Sequence, residues 1–183
     1  ADDPPDWVAV SVGDGCTIAG IAKGLASMKA VGIVSWSARV LGVQAAGVAP
    51  ILAAVTTNRL DRAGTGTTYA DSINCPVPRN WRKAVNAVRE SNGAMIAVTD
   101  EQIMEAVRIT GRLSGVFAEP AAATAAARIA EARRKGIIDA KATVVAMITG
   151  NGLKDIIGAL KAVGQPHEIA PNIGEVARIV ESA

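Results

Sequence analysis

The sequence predicts an α/β fold in three layers: a mostly parallel sheet with helices on both faces. Three observations predict it. Apolar strand patterns and helical patterns alternate along the chain. Several strands are apolar on both sides, as in Val40-Leu41-Gly42-Val43 and Val144-Val145-Ala146-Met147-Ile148. Such strands need cover above and below, which a parallel sheet between helices supplies. The glycine turn Gly13-Asp14-Gly15 lies between an apolar run and a helical run, the shape of a β–α connection.

The elements follow in order. Residues 7–12, Trp7-Val8-Ala9-Val10-Ser11-Val12, form the first strand, and 17–30 the first helix. Residues 39–44 are the second strand and 49–57 a helix. The polar, glycine-rich stretch 58–68 is a loop. A helix over 81–91 leads to a strand over 94–98. Thr99 is placed to cap the next helix, 100–113, and Asp100 and Glu101 suit its first turn. Ile103, Val107 and Ile109 lie on one face of that helix, which Leu113 extends. A short strand is expected over 116–118. Pro120 then sits where a helix can begin, and the alanine-rich run predicts one long helix over 121–135, closed by Gly136. The cluster Arg133-Arg134-Lys135 complements the negative end of that helix. Residues 143–148 make the last strand. Helices over 153–163 and 173–181 complete the chain.

The chain of 183 residues is one domain or part of a larger one. With only 3% aromatic residues, its core must be built from Ala, Val, Ile and Leu. Net charge is +2, and no basic stripe is interleaved with aromatics, which argues against a nucleic-acid partner. No apolar run is long enough to span a membrane. Cys16 and Cys75 give neither a disulfide framework nor metal-ligand spacing, so no metal and a reducing, cytoplasmic setting are expected. A catalytic triad would have to use the single histidine, His167, and nothing in the sequence places it near a nucleophile.

Chemistry points to the loop Ser11-Val12-Gly13-Asp14-Gly15-Cys16-Thr17-Ile18. Two glycines let a ligand approach the backbone, and the helix that follows offers unpaired N–H groups and a positive dipole end. These suit a phosphate. The familiar phosphate motifs fit poorly. The third glycine of a dinucleotide fingerprint is missing, and the second strand ends at Gln44 rather than at an acid. Gly15 and Gly20 have P-loop spacing, but Ile21 stands where the lysine belongs. On this loop alone, a phosphate site and a tight β–α turn without a ligand both remain open. A second loop, Thr149-Gly150-Asn151-Gly152, follows the last strand and so lies on the same sheet edge, where open parallel sheets bind ligands.

Five segments occur in order: the loop at 11–18, Gly42-Val43-Gln44-Ala45-Ala46-Gly47, Arg89-Glu90-Ser91-Asn92-Gly93, Val116-Phe117-Ala118-Glu119-Pro120-Ala121, and Ile148-Thr149-Gly150-Asn151-Gly152-Leu153-Lys154-Asp155. Together they resemble the C-terminal half of the threonine synthases, pyridoxal-phosphate enzymes of the tryptophan-synthase-β fold type. The resemblance covers residues 7–155. It implies that residues 1–183 form one incomplete cofactor domain, part of that fold's large domain, with 156–183 a weaker tail. It implies pyridoxal 5'-phosphate as cofactor, with Gly13, Asp14, Gly15, Cys16 and Thr17 holding its phosphate through backbone N–H groups. Thr149 matches the hydroxyl residue that bonds the pyridine nitrogen, and Glu119 the acid of a Glu-Pro-Ala segment near the cofactor. A reactive thiolate at the helix start is the alternative use of Cys16. The implied reaction converts O-phosphohomoserine and water to threonine and phosphate. A threonine or serine dehydratase-like deaminase and a non-catalytic cofactor-binding module are the alternatives. The resemblance gives the Schiff-base role to none of Lys23, Lys29, Lys83, Lys135, Lys141, Lys154 and Lys161. It therefore implies no catalytic residue in this chain, which is then a fragment or one piece of a split enzyme, and a missing N-terminal half that carries the lysine. That half would pair with apolar surface exposed here, and the complete enzyme would be a homo-oligomer acting on a small amino-acid substrate.

Overall fold

A computed structural model describes residues 3–60, 66–164 and 167–182. Four parallel strands form one sheet in the order β3-β2-β1-β4: β1 (Trp7–Ser11), β2 (Arg39–Ala45), β3 (Ala94–Val98) and β4 (Val144–Met147). Val8 lies level with Val40 on one side and Val145 on the other. Strand β1 is central and buried along its whole length. Each of its valines, with its side chain out of water, stabilises the fold by about 1.5–3 kcal/mol.

Alternate residues of the strands feed two separate cores. Val10, Val12 and Val40 pack with α1 (Cys16–Ala30), α2 (Pro50–Thr57) and α3 (Trp81–Glu90). Trp7, Ala9, Leu41 and Val43 pack on the other face with α4 (Asp100–Ser114), α5 (Pro120–Ala123), α6 (Ile129–Arg134) and Ala162 of α7 (Ile156–Val163). The period of two in a strand makes this division, and it gives the expected three layers. A last helix, α8 (Ile173–Ser182), follows. No helix among the described residues is long and apolar enough to cross a membrane.

Local signals hold where they are strong. Thr99 Oγ1 accepts from Gln102 N at 3.4 Å, while Gln102 Oε1 accepts from Thr99 N at 3.0 Å, a reciprocal cap at the start of α4. Gly136 closes α6 in a left-handed conformation, φ 70°. The basic cluster does fall at the end of α6.

Three expectations are corrected. Residues 116–118 are not a sheet strand: Ala118 makes one isolated antiparallel bridge with Asn151, in the loop after β4. The long helix over 121–135 is broken into α5 and α6, with Arg128 left-handed at φ 62°. Ala121 through Thr124 are buried against the sheet, and Ala125–Ala127 bond three residues back rather than four. Small side chains allow this tight, buried path, so packing overrides helix propensity. The helix over 153–163 begins instead with a 3₁₀ turn, Gly152–Lys154, and restarts after Asp155, whose carboxylate accepts from Gly158 N at 2.9 Å. A further 3₁₀ turn, Asp71–Ile73, was not expected. Part of the loop expected over 58–68 lies outside the described residues.

Candidate functional site

Strand order fixes where a ligand can enter. The chain builds outward from β1 to β2 to β3, then returns to add β4 on the other side of β1. The order therefore reverses between β1 and β4, and loops leaving the two carboxyl ends there diverge and open a crevice. A cleft of about 290 Å³ lies at this point, lined by Ser11–Ile18, Ser72, Ile73, Glu119, Ala121, Thr149 and Lys154. Every residue that the resemblance places at the cofactor lines it: Gly13, Asp14, Gly15, Cys16, Thr17, Glu119 and Thr149.

Helix α1 begins at the cleft wall without a side-chain cap and without an acid in its first turn. Its first N–H groups are left for a ligand. Gly15 sits at φ +97°, and a Cβ there would meet Asn80 O at 2.9 Å. A Cβ on Gly13 would meet Ile73 Cα at 3.0 Å. Glycine is required at Gly15 by conformation and at both positions by space.

The Asp14 carboxylate turns away from a ligand role and ties the loop down. It accepts from Asn80 Nδ2 and Arg79 N, both at 2.6 Å, and from the Cys16 thiol at 3.3 Å. The Asn80 bond is the main reason its pKa is held below the ordinary carboxylate value, with the Arg79 amide adding to it against partial desolvation. The same carboxylate raises the Cys16 pKa by accepting its proton in a hydrogen bond. That bond works against the activated thiolate that a bare helix start would favour.

On the opposite wall, the bridge at Ala118 and Asn151 joins two loops. Glu119 N donates to Gly150 O at 3.0 Å, and Gly152 N donates to Phe117 O at 2.8 Å. Glu119 is 4% exposed, and its Oε1 accepts from Lys154 Nζ at 3.2 Å. The same ammonium donates to Ser72 Oγ at 3.1 Å. Thr149 is exposed in the cleft, and its hydroxyl has no hydrogen-bond partner among the described residues.

Sequence reading missed Asn80, Ser72 and the Glu119–Lys154 pair as parts of the site. Asn80 lies 66 positions from Asp14 and Lys154 lies 35 from Glu119, so no local pattern signals either. Lys154 is the lysine that lines the cleft. Lys29, in Ser27-Met28-Lys29, lies near the far end of α1, about 20 Å along the helix axis, with its ammonium on Ser37 Oγ. His167 is exposed and lies outside the cleft lining. A larger groove of about 430 Å³ runs between α1 and α3 and reaches Ser37 and Ala38 at the amino end of β2. It contains none of the singled-out residues and lies at the wrong end of the sheet for a switch-point ligand.

Residues 1–150 match the family model for pyridoxal-phosphate dependent enzymes. The sequence is 35% identical over 179 residues to the threonine synthase of Methanocaldococcus jannaschii, which covers 97% of this chain and 44% of that protein. It is 40% identical over 151 residues to the threonine synthase of Synechocystis sp., which covers 82% of this chain and 37% of that protein. The chain thus spans less than half the length of these curated relatives. Among solved structures, a fungal L-serine ammonia-lyase from Rhizomucor miehei aligns with a TM-score of 0.72 at 20% identity, over 90% of this chain and 51% of that one. Threonine deaminase isoform 2 from Solanum lycopersicum aligns with a TM-score of 0.65 at 18% identity, over 88% and 45%. At such identities the structural likeness bears on the fold, which is that of these enzymes. The family match rests on the sequence itself: this chain belongs to the pyridoxal-phosphate dependent enzymes.

Proposed function

We propose that this chain is the cofactor-holding part of a pyridoxal-phosphate lyase that acts as threonine synthases do, on O-phosphohomoserine and water to give threonine and phosphate. The observation that carries the reading is the meeting of two loops at the β1–β4 switch point. One brings an uncapped helix start, and the other brings an unpartnered hydroxyl.

The residues present fit the cofactor. Gly13 and Gly15 give a phosphate access to backbone N–H groups, and the dipole of α1 favours its charge. Thr149 offers a neutral partner to the pyridine nitrogen, which leaves that nitrogen largely unprotonated. The bound cofactor supplies the electron sink for elimination at an amino acid. This chain's own contribution is to bind, orient and set the electrostatics. The Schiff-base lysine belongs to the rest of the protein in this reading, because Lys154, which lines the cleft, has its ammonium held by Glu119 Oε1 and Ser72 Oγ. Exposed apolar residues support a partner segment: Val145 and Met147 on the free edge strand β4, and Ile156 and Ile157 on α7.

Residues 1–183 then constitute one incomplete cofactor domain, with 156–183 as its tail, and the complete enzyme is a homo-oligomer. The test is made on the complete protein. Phosphate release from O-phosphohomoserine supports the synthase reading. Ketoacid formation from threonine without phosphate release replaces it with a deaminase, and neither product points to a binding module.

A further inference from the structure

We propose that Lys154 is a positioning residue that keeps Glu119 from becoming the partner of the cofactor's ring nitrogen, and so sets the charge state of the ring. The inference rests on the cofactor reading above. It starts from an ion pair that the site's phosphate and hydroxyl contacts do not use.

Glu119 and Thr149 line the same cleft. The Glu119 side chain is 5% exposed, and Lys154 is the side chain hydrogen-bonded to it among the described residues. The carboxylate lies directly against Gly150, the residue after Thr149, since a Cβ at that position would fall on Glu119 Oε1. A buried carboxylate and a free hydroxyl therefore line one cleft as rival partners for an aromatic nitrogen. They have opposite consequences. A carboxylate stabilises the protonated, positive ring, whereas a hydroxyl leaves the ring neutral. Lys154 decides between them. Its ammonium occupies Glu119 Oε1 at 3.2 Å and compensates the charge in place. Ser72 Oγ, on the 3₁₀ turn at Asp71–Ile73, accepts a second hydrogen of that ammonium at 3.1 Å, which pins the lysine across the cleft. The lysine side chain is 61% exposed while the carboxylate is buried, so the lysine reaches in from the cleft mouth to hold the acid.

The test uses 4'-deoxypyridoxine 5'-phosphate, a cofactor analogue without an aldehyde, which forms no imine with any lysine. Its ring nitrogen is titrated by ultraviolet absorbance when bound to the intact protein that carries these residues. In Lys154→Met the nitrogen's pKa should rise by about 1–3 units, because an uncompensated carboxylate now faces it. Lys154→Arg should stay close to the parent protein, and the double variant Lys154→Met with Glu119→Gln should return to it. If Lys154→Met fails to fold, Lys154→Gln keeps a hydrogen bond to Glu119 without the charge and should show the same rise. An unchanged titration overturns the proposal, and so does a shift that persists in the double variant. Failure of the parent protein to bind the analogue overturns the cofactor reading itself, a separate outcome.

Discussion

Asn80 donates its side-chain amide to the Asp14 carboxylate at 2.6 Å, joining the start of α3 to the loop after β1 across 66 positions of sequence. The Arg79 amide donates to the same carboxylate, and Asn80 N donates to Asp14 O at 3.2 Å. The loop at the head of α1 is thus held from outside itself, and its own amides stay free for an anion. Replacing Asn80 by Ala should lower stability by about 1.5–3 kcal/mol, the usual loss for a hydrogen bond to a charged group. Denaturant melts measure this, and inorganic phosphate should bind more weakly to the same variant.

Asp14 makes stability depend on acid. Its folded pKa lies below the unfolded value of about 3.9, so its contribution is complete above that pH and is lost as the pH falls through the folded pKa. Asp14→Asn should therefore flatten the decline in stability below about pH 4. Urea midpoints measured across the acid range for both proteins check the sign.

The Cys16 thiol should alkylate slowly at neutral pH despite its exposure, because Asp14 holds its pKa up. Asp14→Asn should speed the reaction at Cys16, as read by peptide mapping after brief iodoacetamide treatment. A rate already fast in the parent protein, and unchanged in the variant, would favour a thiolate at the helix start.

Gly15→Ala places a side chain at φ +97° and against Asn80 O. The conformation alone costs about 1–2 kcal/mol. Stability should fall by at least that amount, and phosphate binding should be lost. Gly20→Ala, at a helical position with open space around it, should leave both intact and serves as the control.

Much of this was legible in the sequence for a physical reason: β1, the glycine turn and α1 are specified by neighbours in the chain. Thr99 and Gly136 were readable as caps for the same reason. Residues 121–127 were not, since a run of alanines favours a helix alone but packs as a broken, buried path beneath the sheet. Residues 116–118 read as a strand because Val116 and Phe117 are apolar, yet they remain partly exposed and only Ala118 pairs. The residues of the cleft could be named from motifs, but the side chains that hold them could not. Asp14 with Asn80, and Glu119 with Lys154, meet only after the sheet has brought distant loops together.

In the proposed function, the β1–β4 crevice holds the cofactor's phosphate at the start of α1 and its ring nitrogen at Thr149. Calorimetric binding of 4'-deoxypyridoxine 5'-phosphate to the parent protein, Gly15→Ala and Thr149→Val tests both contacts at once. Gly15→Ala should abolish binding, and Thr149→Val should weaken it by roughly 3–10-fold, the worth of one hydrogen bond. Equal affinity in all three proteins, or binding removed instead by Lys23→Ala and Lys83→Ala in the α1–α3 groove, would contradict it.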